Sequence, residues 1–162
     1  MRRRVVVTGL GPVSSIGTGK EEFWESAREG RGTFRQVDFP DVDLAQYGSR
    51  ICSPIDGFDI TRHFERPKRL ARAGKATQYT AVGALLALED AGFALERREG
   101  GSAELFRVPG TDPLRCGVIL GQAVSNSDIL LPAYRRFLVD RGPKRISPFT
   151  CLLYTSPSPR DS

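Results

Sequence analysis

An α/β fold, with a mostly parallel sheet flanked by helices, is predicted by three observations. Val5-Val6-Val7 is a run of β-branched residues without polar alternation, the pattern of a strand covered on both faces. Residues 116–121 hold a second short apolar run, Val118-Ile119-Leu120 between glycines. Between them, residues 68–91 form a long segment rich in Ala and Leu, apolar almost all round in its second half, as in a buried helix. Short apolar strands separated by helices indicate parallel strands joined by crossovers.

The elements follow in order. After the valines, Gly9, Gly11 and Gly17 punctuate a tight exit from the strand. Thr18 and Glu21 have the spacing of a capping box that opens a helix. Phe23, Trp24 and Ala27 give that helix its apolar stripe, and Gly30 supplies a left-handed stop. Residues 31–67 are irregular, broken by Pro40, Gly48, Pro54 and Gly57, with room for one short strand within 47–55. Pro67 suits the first turn of the long helix over 68–91, and Gly92 closes it. Residues 96–113, charged and Gly-rich, read as a surface connection. Ser127 can cap a last helix over 128–141, with Ile129, Ala133, Phe137 and Leu138 on its apolar face and Pro132 in or just past its first turn.

The strand–Gly turn–helix opening invites a nucleotide site, and the residues argue against it. A dinucleotide fingerprint needs a third glycine where Ser14 stands. A phosphate loop needs a glycine at Ser14 and a hydroxyl at Glu21.

Twenty-four Lys and Arg face nineteen Asp and Glu, a net charge of +5 that is dispersed along the chain. No basic helix, aromatic platform or zinc spacing accompanies it, so nucleic-acid binding is not expected. Arg2-Arg3-Arg4 precedes only three valines, too short for a signal peptide, and no run of eighteen apolar residues could span a membrane. Cys52, Cys116 and Cys151 have neither metal nor redox spacing, and so sparse an odd count suits the reducing cytoplasm. Cys116 reads as a small core residue, Cys52 as the same or partly exposed, and the single His63 as a solvated or helix-flanking side chain. Glu89-Asp90, at a helix end, reads as surface.

Several motifs together carry a resemblance. They are Val5-Val6-Val7-Thr8-Gly9-Leu10-Gly11 with Val13-Ser14 and Ile16-Gly17, then Glu22-Phe23-Trp24 and Gly30-Arg31-Gly32. Phe58-Asp59, Thr77-Gln78-Tyr79, Ala87-Leu88-Glu89-Asp90-Ala91-Gly92, Gly117-Val118-Ile119-Leu120-Gly121 and Gly142-Pro143-Lys144-Arg145-Ile146-Ser147-Pro148-Phe149 continue it. In this order and spacing, residues 2–149 resemble the start of an elongating β-ketoacyl-acyl-carrier-protein synthase of the synthase II type, in the ketosynthase branch of the thiolase-like fold. Gly121-Gln122-Ala123-Val124-Ser125 departs from the Gly-Ser-Gly-x-Gly-Gly run common in that family.

The resemblance implies the N-terminal part of the first α/β half of a thiolase-like fold. It implies decarboxylative Claisen condensation of acyl and malonyl thioesters, in fatty-acid or polyketide synthesis, without a cofactor or metal. The family's nucleophilic Cys and two His fall beyond the matching residues, so no catalytic residue is assigned here. A non-catalytic, chain-length-factor-like partner and another thiolase-fold acyltransferase are the alternatives. The family is homodimeric and takes its acyl groups from an acidic acyl carrier protein. Lys68, Arg72, Lys144 and Arg145 match family positions that present cations to that carrier, while Ala71 stands where another cation is common. A solvated basic face is the other reading of these four.

Residues 151–162 break the pattern and read as the in-frame translation of a transposon-type sequencing adapter. The expected division is therefore 1–150, a truncated synthase domain, and 151–162, a non-native tail; a natural disordered tail is the alternative. Cys151, although preceded by Thr150, lacks the small neighbours of a nucleophile elbow.

Overall fold

The structure is a computed structural model that describes residues 4–37, 43–100, 103–122, 126–139 and 146. The expected tail, 151–162, lies outside them. The chain forms two compact units, one from the residues up to Asp59 with Val82–Ala94, the other from Ile60–Ala81 with the residues from Leu95 onward.

In the first unit, the strand expected at Val5, Val6 and Val7 does not form. They take part in no strand pairing among the described residues, and Val5 is 94% exposed. β-branched residues favour extended backbone locally, whereas a strand also requires a partner for its N–H and C=O groups. Gly9 and Gly11 take no positive φ. Their role is close approach. A methyl group on Gly9 would overlap the carbonyl oxygen of Ala87, and one on Gly11 would overlap that of Gly83.

Two-residue strands β1 (Val13–Ser14) and β2 (Gly17–Thr18) then form an antiparallel hairpin, Val13 opposite Thr18. Helix α1 (Lys20–Arg28) follows with Gly19 as its N-cap, at φ 93° and without a side-chain cap. The expected capping box is thus displaced by one residue: Glu22, not Glu21, accepts a hydrogen bond from the Thr18 N–H, at 2.8 Å. The expected stripe is also turned. Phe23 is half-buried, Trp24 and Ala27 are exposed, and Ser26 is buried. The helix ends at Gly30 as predicted, at φ 67°, with the Gly30 and Arg31 N–H groups donating to Ala27 and Ser26. Strand β3 (Arg35–Gln36) pairs antiparallel with β4 (Ile51–Cys52), which falls within the predicted 47–55 window.

Helix α2 (Lys75–Asp90) gives its first turns to the second unit and the rest to the first. Val82 and Leu85 are the buried apolar residues of its later part, and Val82 has no exposed surface. At its end the Gly92 and Phe93 N–H groups donate to Glu89 and Leu88, with Gly92 at φ 79°, again the predicted stop.

The second unit begins with a single 3-10 turn, Ile60–Arg62, whose Ile60 is buried along with the following Phe64. His63 flanks this turn, as expected, donating its N–H to Ile60. The helix expected over 68–91 is broken. A 3-10 turn occupies Leu70–Arg72, Ala73 is extended at ψ 158°, and α2 starts only at Lys75. Residues 96–113, expected as a connection, contain a pair of five-residue strands. Strands β5 (Glu96–Gly100) and β6 (Ala103–Arg107) pair antiparallel with Arg97 opposite Phe106. The missed signal was the short Gly101-Ser102 spacing between the two runs, typical of a tight hairpin.

Residues 116–121 are exposed and unpaired among the described residues, with Ile119 at 97%, so the second expected buried strand is also absent. Cys116 is accordingly exposed rather than a core residue. Helix α3 (Ser127–Val139) carries Pro132 inside it and buries Ala133, with Ile129 half-buried and Phe137 and Leu138 exposed. Its cap is Asn126 rather than Ser127: the Ile129 and Leu130 N–H groups donate to the Asn126 carbonyl. The strand pairs among the described residues are three antiparallel pairs, not a parallel sheet. A parallel strand needs a neighbour brought from far along the chain, whereas each observed pair lies close in sequence.

Candidate functional site

Two of the four cations singled out by sequence, Lys68 and Arg72, lie on the broken lead into α2. Lys68, Arg69, Arg72 and Lys75 are all exposed, and so is Arg66. The backbone that carries them is ordered by three features. Pro67 starts the turn, its carbonyl accepting from the Ala71 N–H at 2.6 Å. The Leu70 carbonyl accepts from Ala73. Gln78, buried on the first turns of α2, then reaches back with its side-chain amide to the carbonyls of Ala73, at 2.8 Å, and Ala71, at 3.4 Å. Gln78, in the middle of the Thr77-Gln78-Tyr79 motif, is therefore what ties the Arg72 turn to α2.

The start of α2 is capped by residues some fifty positions later. Its first N–H groups have no helical acceptors. Asp128 accepts from the Lys75 N–H at 2.9 Å, and Asn126 accepts from the Thr77 N–H at 3.3 Å. The Asn126 amide also exchanges hydrogen bonds with the Thr77 hydroxyl, at 3.1 and 3.2 Å. Asn126 is 9% exposed and sits at φ 54°, a left-handed conformation that Asn tolerates better than most residues. Its side chain fills the space beside Gly74, where a Cβ would collide with it. Burial, and then the charge of Asp128, push the Tyr79 hydroxyl above its usual pKa.

At the other end of the cationic segment, Phe64 packs edge-to-face on Phe106 of β6, with ring centroids 5.8 Å apart and planes at 69°. Arg97 of β5 lies over the same Phe106 ring, 5.8 Å from its centroid, and is ion-paired with Glu65. Of the four residues assigned from sequence, Lys68 and Arg72 thus share one braced segment. Lys144 and Arg145 lie outside the described residues.

The first unit holds an open groove of about 750 Å³ lined by Leu10, Gly11, Pro12, Phe23 and Trp24, with Lys20 and Glu21 also contributing. Lys20 is ion-paired with Asp90, whose other carboxylate oxygen accepts from the Leu10 N–H at 2.9 Å. Asp90, read as unpartnered surface, is instead a fastening, and its carboxyl is held below its ordinary range by the Lys20 hydrogen bond and then by the Leu10 N–H. Half-buried Cys52 and exposed Cys116 carry free thiols, and Cys151 lies outside the described residues. No group of three His, Cys, Asp or Glu among the described residues could hold a metal ion, and no helix among them is long and apolar enough to cross a membrane.

Comparison with known proteins places this geometry in a lineage. A granaticin polyketide putative β-ketoacyl synthase 1 of Streptomyces violaceoruber is 34% identical over 155 residues, covering 91% of this chain and 32% of that protein. A 3-oxoacyl-[acyl-carrier-protein] synthase 2 of Vibrio harveyi is 30% identical over 148 residues, with the same coverage of each. The chain spans about a third of the length of these curated relatives. A solved structure, the ishigamide ketosynthase/chain length factor, superposes with a TM-score of 0.64 at 26% identity, covering 93% of this chain and 34% of that one, in keeping with an α/β fold of the ketosynthase kind. The model of the β-ketoacyl synthase N-terminal domain matches residues 2–157, and the chain belongs to that family.

Proposed function

We propose that this chain is the N-terminal part of a β-ketoacyl-acyl-carrier-protein synthase that elongates acyl chains in fatty-acid or polyketide synthesis. The observation that carries the reading is the family match over residues 2–157, together with relatives named 3-oxoacyl-[acyl-carrier-protein] synthase 2. In the intact protein a Cys thiolate takes the acyl group from a carrier thioester and releases the carrier thiol. Malonyl-carrier loses carbon dioxide, and the resulting enolate attacks the acyl-enzyme carbonyl, expelling the thiolate and giving the β-ketoacyl-carrier. Neither that Cys nor the two assisting His residues is assigned in this chain, whose single His63 only flanks a 3-10 turn. On this reading the chain alone does not carry out the condensation, and the family match runs into the segment 151–162, as far as residue 157.

Within the chain, the contribution to function is carrier docking. Lys68 and Arg72, with Lys144 and Arg145, face the acidic carrier. The exposure of Lys68 and Arg72 on a segment tied down by Gln78 supports this role. Homodimerisation of the intact protein is supported by the exposed apolar residues Leu131, Tyr134 and Leu138 on α3. The scattered free thiols suit a reducing cytoplasm.

The test uses the intact protein with Lys68→Glu and Lys144→Glu together. The apparent KM for acyl-carrier substrate rises at low salt, and turnover of a short acyl thioester without carrier stays nearly unchanged. Equal losses with both substrates would indicate damage to the fold, and no loss with either would return these cations to a solvated face. The likeness to a ketosynthase/chain length factor supports a second reading, a chain-length-factor-like partner without condensing activity. Condensation by the intact protein excludes it.

A further inference from the structure

Residues 60–88 contain six Lys and Arg and one acidic residue, Glu65. A carboxylate next to Arg66 and three positions before Lys68 would repel an anionic partner and draw the nearby cations to itself. The structure gives it a different partner, Arg97, which reaches it from β5. Arg97 is placed there by the hairpin: it stands opposite Phe106 in the strand register and lies over that ring. Phe106 in turn abuts Phe64, which is buried and adjoins Glu65 in the chain. Both Glu65 and Arg97 are largely exposed, at 74% and 46% of their side chains, so the pair adds little to stability. Its consequence is for the charge that the segment displays.

We propose that the β5–β6 hairpin is a positioning and charge-masking element for carrier docking: Arg97 neutralises Glu65 and Phe106 braces Phe64, so that the carboxylate three positions before Lys68 does not oppose the approach of an acidic carrier protein to Lys68 and Arg72. The inference rests on the docking role of Lys68 and Arg72. Arg97 acts through Glu65 and does not itself contact the carrier. Arg98, the next residue on β5, points to the opposite face by strand alternation and provides a matched loss of one charge.

The test is a titration of fluorescently labelled acidic acyl carrier protein with the 162-residue chain at low and high salt. Arg97→Gln weakens binding roughly three-fold at low salt and not at high salt, because the unmasked carboxylate acts through a screened field. Adding Glu65→Gln to Arg97→Gln restores the affinity, and Glu65→Gln alone binds at least as tightly as the parent. Arg98→Gln changes affinity less than Arg97→Gln, and Phe106→Leu retains affinity that Phe106→Ala loses. Equal effects of Arg97→Gln and Arg98→Gln, or no rescue by Glu65→Gln, would reduce Arg97 to its net charge and overturn the proposal. Loss of binding in Lys68→Glu/Arg72→Glu with no effect of Arg97→Gln overturns the mask alone and leaves docking intact. Unchanged binding in Lys68→Glu/Arg72→Glu overturns docking and the mask together.

Discussion

The backbone of Gly11 lies directly on that of Gly83: a methyl group on Gly83 would stand 2.9 Å from the Gly11 carbonyl oxygen, and one on Gly11 would overlap the Gly83 carbonyl. Gly83 and Ala87 of α2, with Ala91 just past its end, recur at four-residue spacing, so that face is stripped of bulk where Gly9 and Gly11 cross it. Gly9 and Gly11 serve this helix contact.

Gly11→Ala should therefore destabilise the chain by about 1–3 kcal/mol, since backbone on both sides cannot yield as a side chain would. Gly48→Ala is the control, with no atom within 4 Å of its added methyl and no positive φ. Urea unfolding midpoints should fall for the first and stay within error for the second. Equal midpoints would mean that the segment does not rest on α2.

Asp90 predicts a pH dependence. Its pKa is lowered in the folded chain, first by the Lys20 hydrogen bond and then by the Leu10 N–H. The stabilisation is thus full above the unfolded carboxylate pKa and is lost as pH falls through the lower, folded value. Lys20 is raised by the same pair, so its share is lost only when pH rises through its folded value in strong alkali. Asp90→Asn should lower stability at neutral pH and converge with the parent in acid. Parallel stability curves across that range would rule the linkage out.

Asn126 joins two demands, a left-handed backbone and an acceptor for the start of α2. Asn126→Ala fails both, and leaving the Thr77 N–H without its partner costs about 1–3 kcal/mol. Asn126→Gly relieves the backbone and should be the less damaging of the two. Hydrogen exchange at Thr77 reads the cap itself: its amide should exchange faster in both variants. Unchanged protection would assign that amide another acceptor.

Incubated with acyl-carrier and malonyl-carrier, the purified chain should form no β-ketoacyl product above a protein-free control. Product that scales with chain concentration would place a nucleophile within this chain, and Cys52→Ser, Cys116→Ser and Cys151→Ser, made one at a time, would then test its three thiols.

Exposed Val5, Val7, Ile119 and Leu131 predict association. Sedimentation at rising concentration should show growing species, and a dye that reports apolar surface should bind. A single monomer boundary without dye binding would contradict this.

Local signals were legible from sequence because they act within a turn. Gly30 and Gly92 end their helices through their own φ and the carbonyls just before them. The exposure of Lys68 and Arg72 followed from their charge. The motif order was enough to identify the ketosynthase family. What misled were signals whose meaning depends on distant neighbours. Val5-Val6-Val7 has strand propensity, but pairing and burial need a partner strand that local preference does not supply. The break before α2 was hidden because Gly74 is required by the side chain of Asn126, fifty-two positions later in the numbering. Asp90 looks like surface in the sequence because Lys20 and Leu10, its partners, stand 70 and 80 residues away. The sequence by itself determined the family, the helix stops and the cationic character of residues 66–75. Only the tertiary structure decided which glycines face a helix, which acids are neutralised and what braces the cations, because each depends on atoms brought together from far apart in the chain.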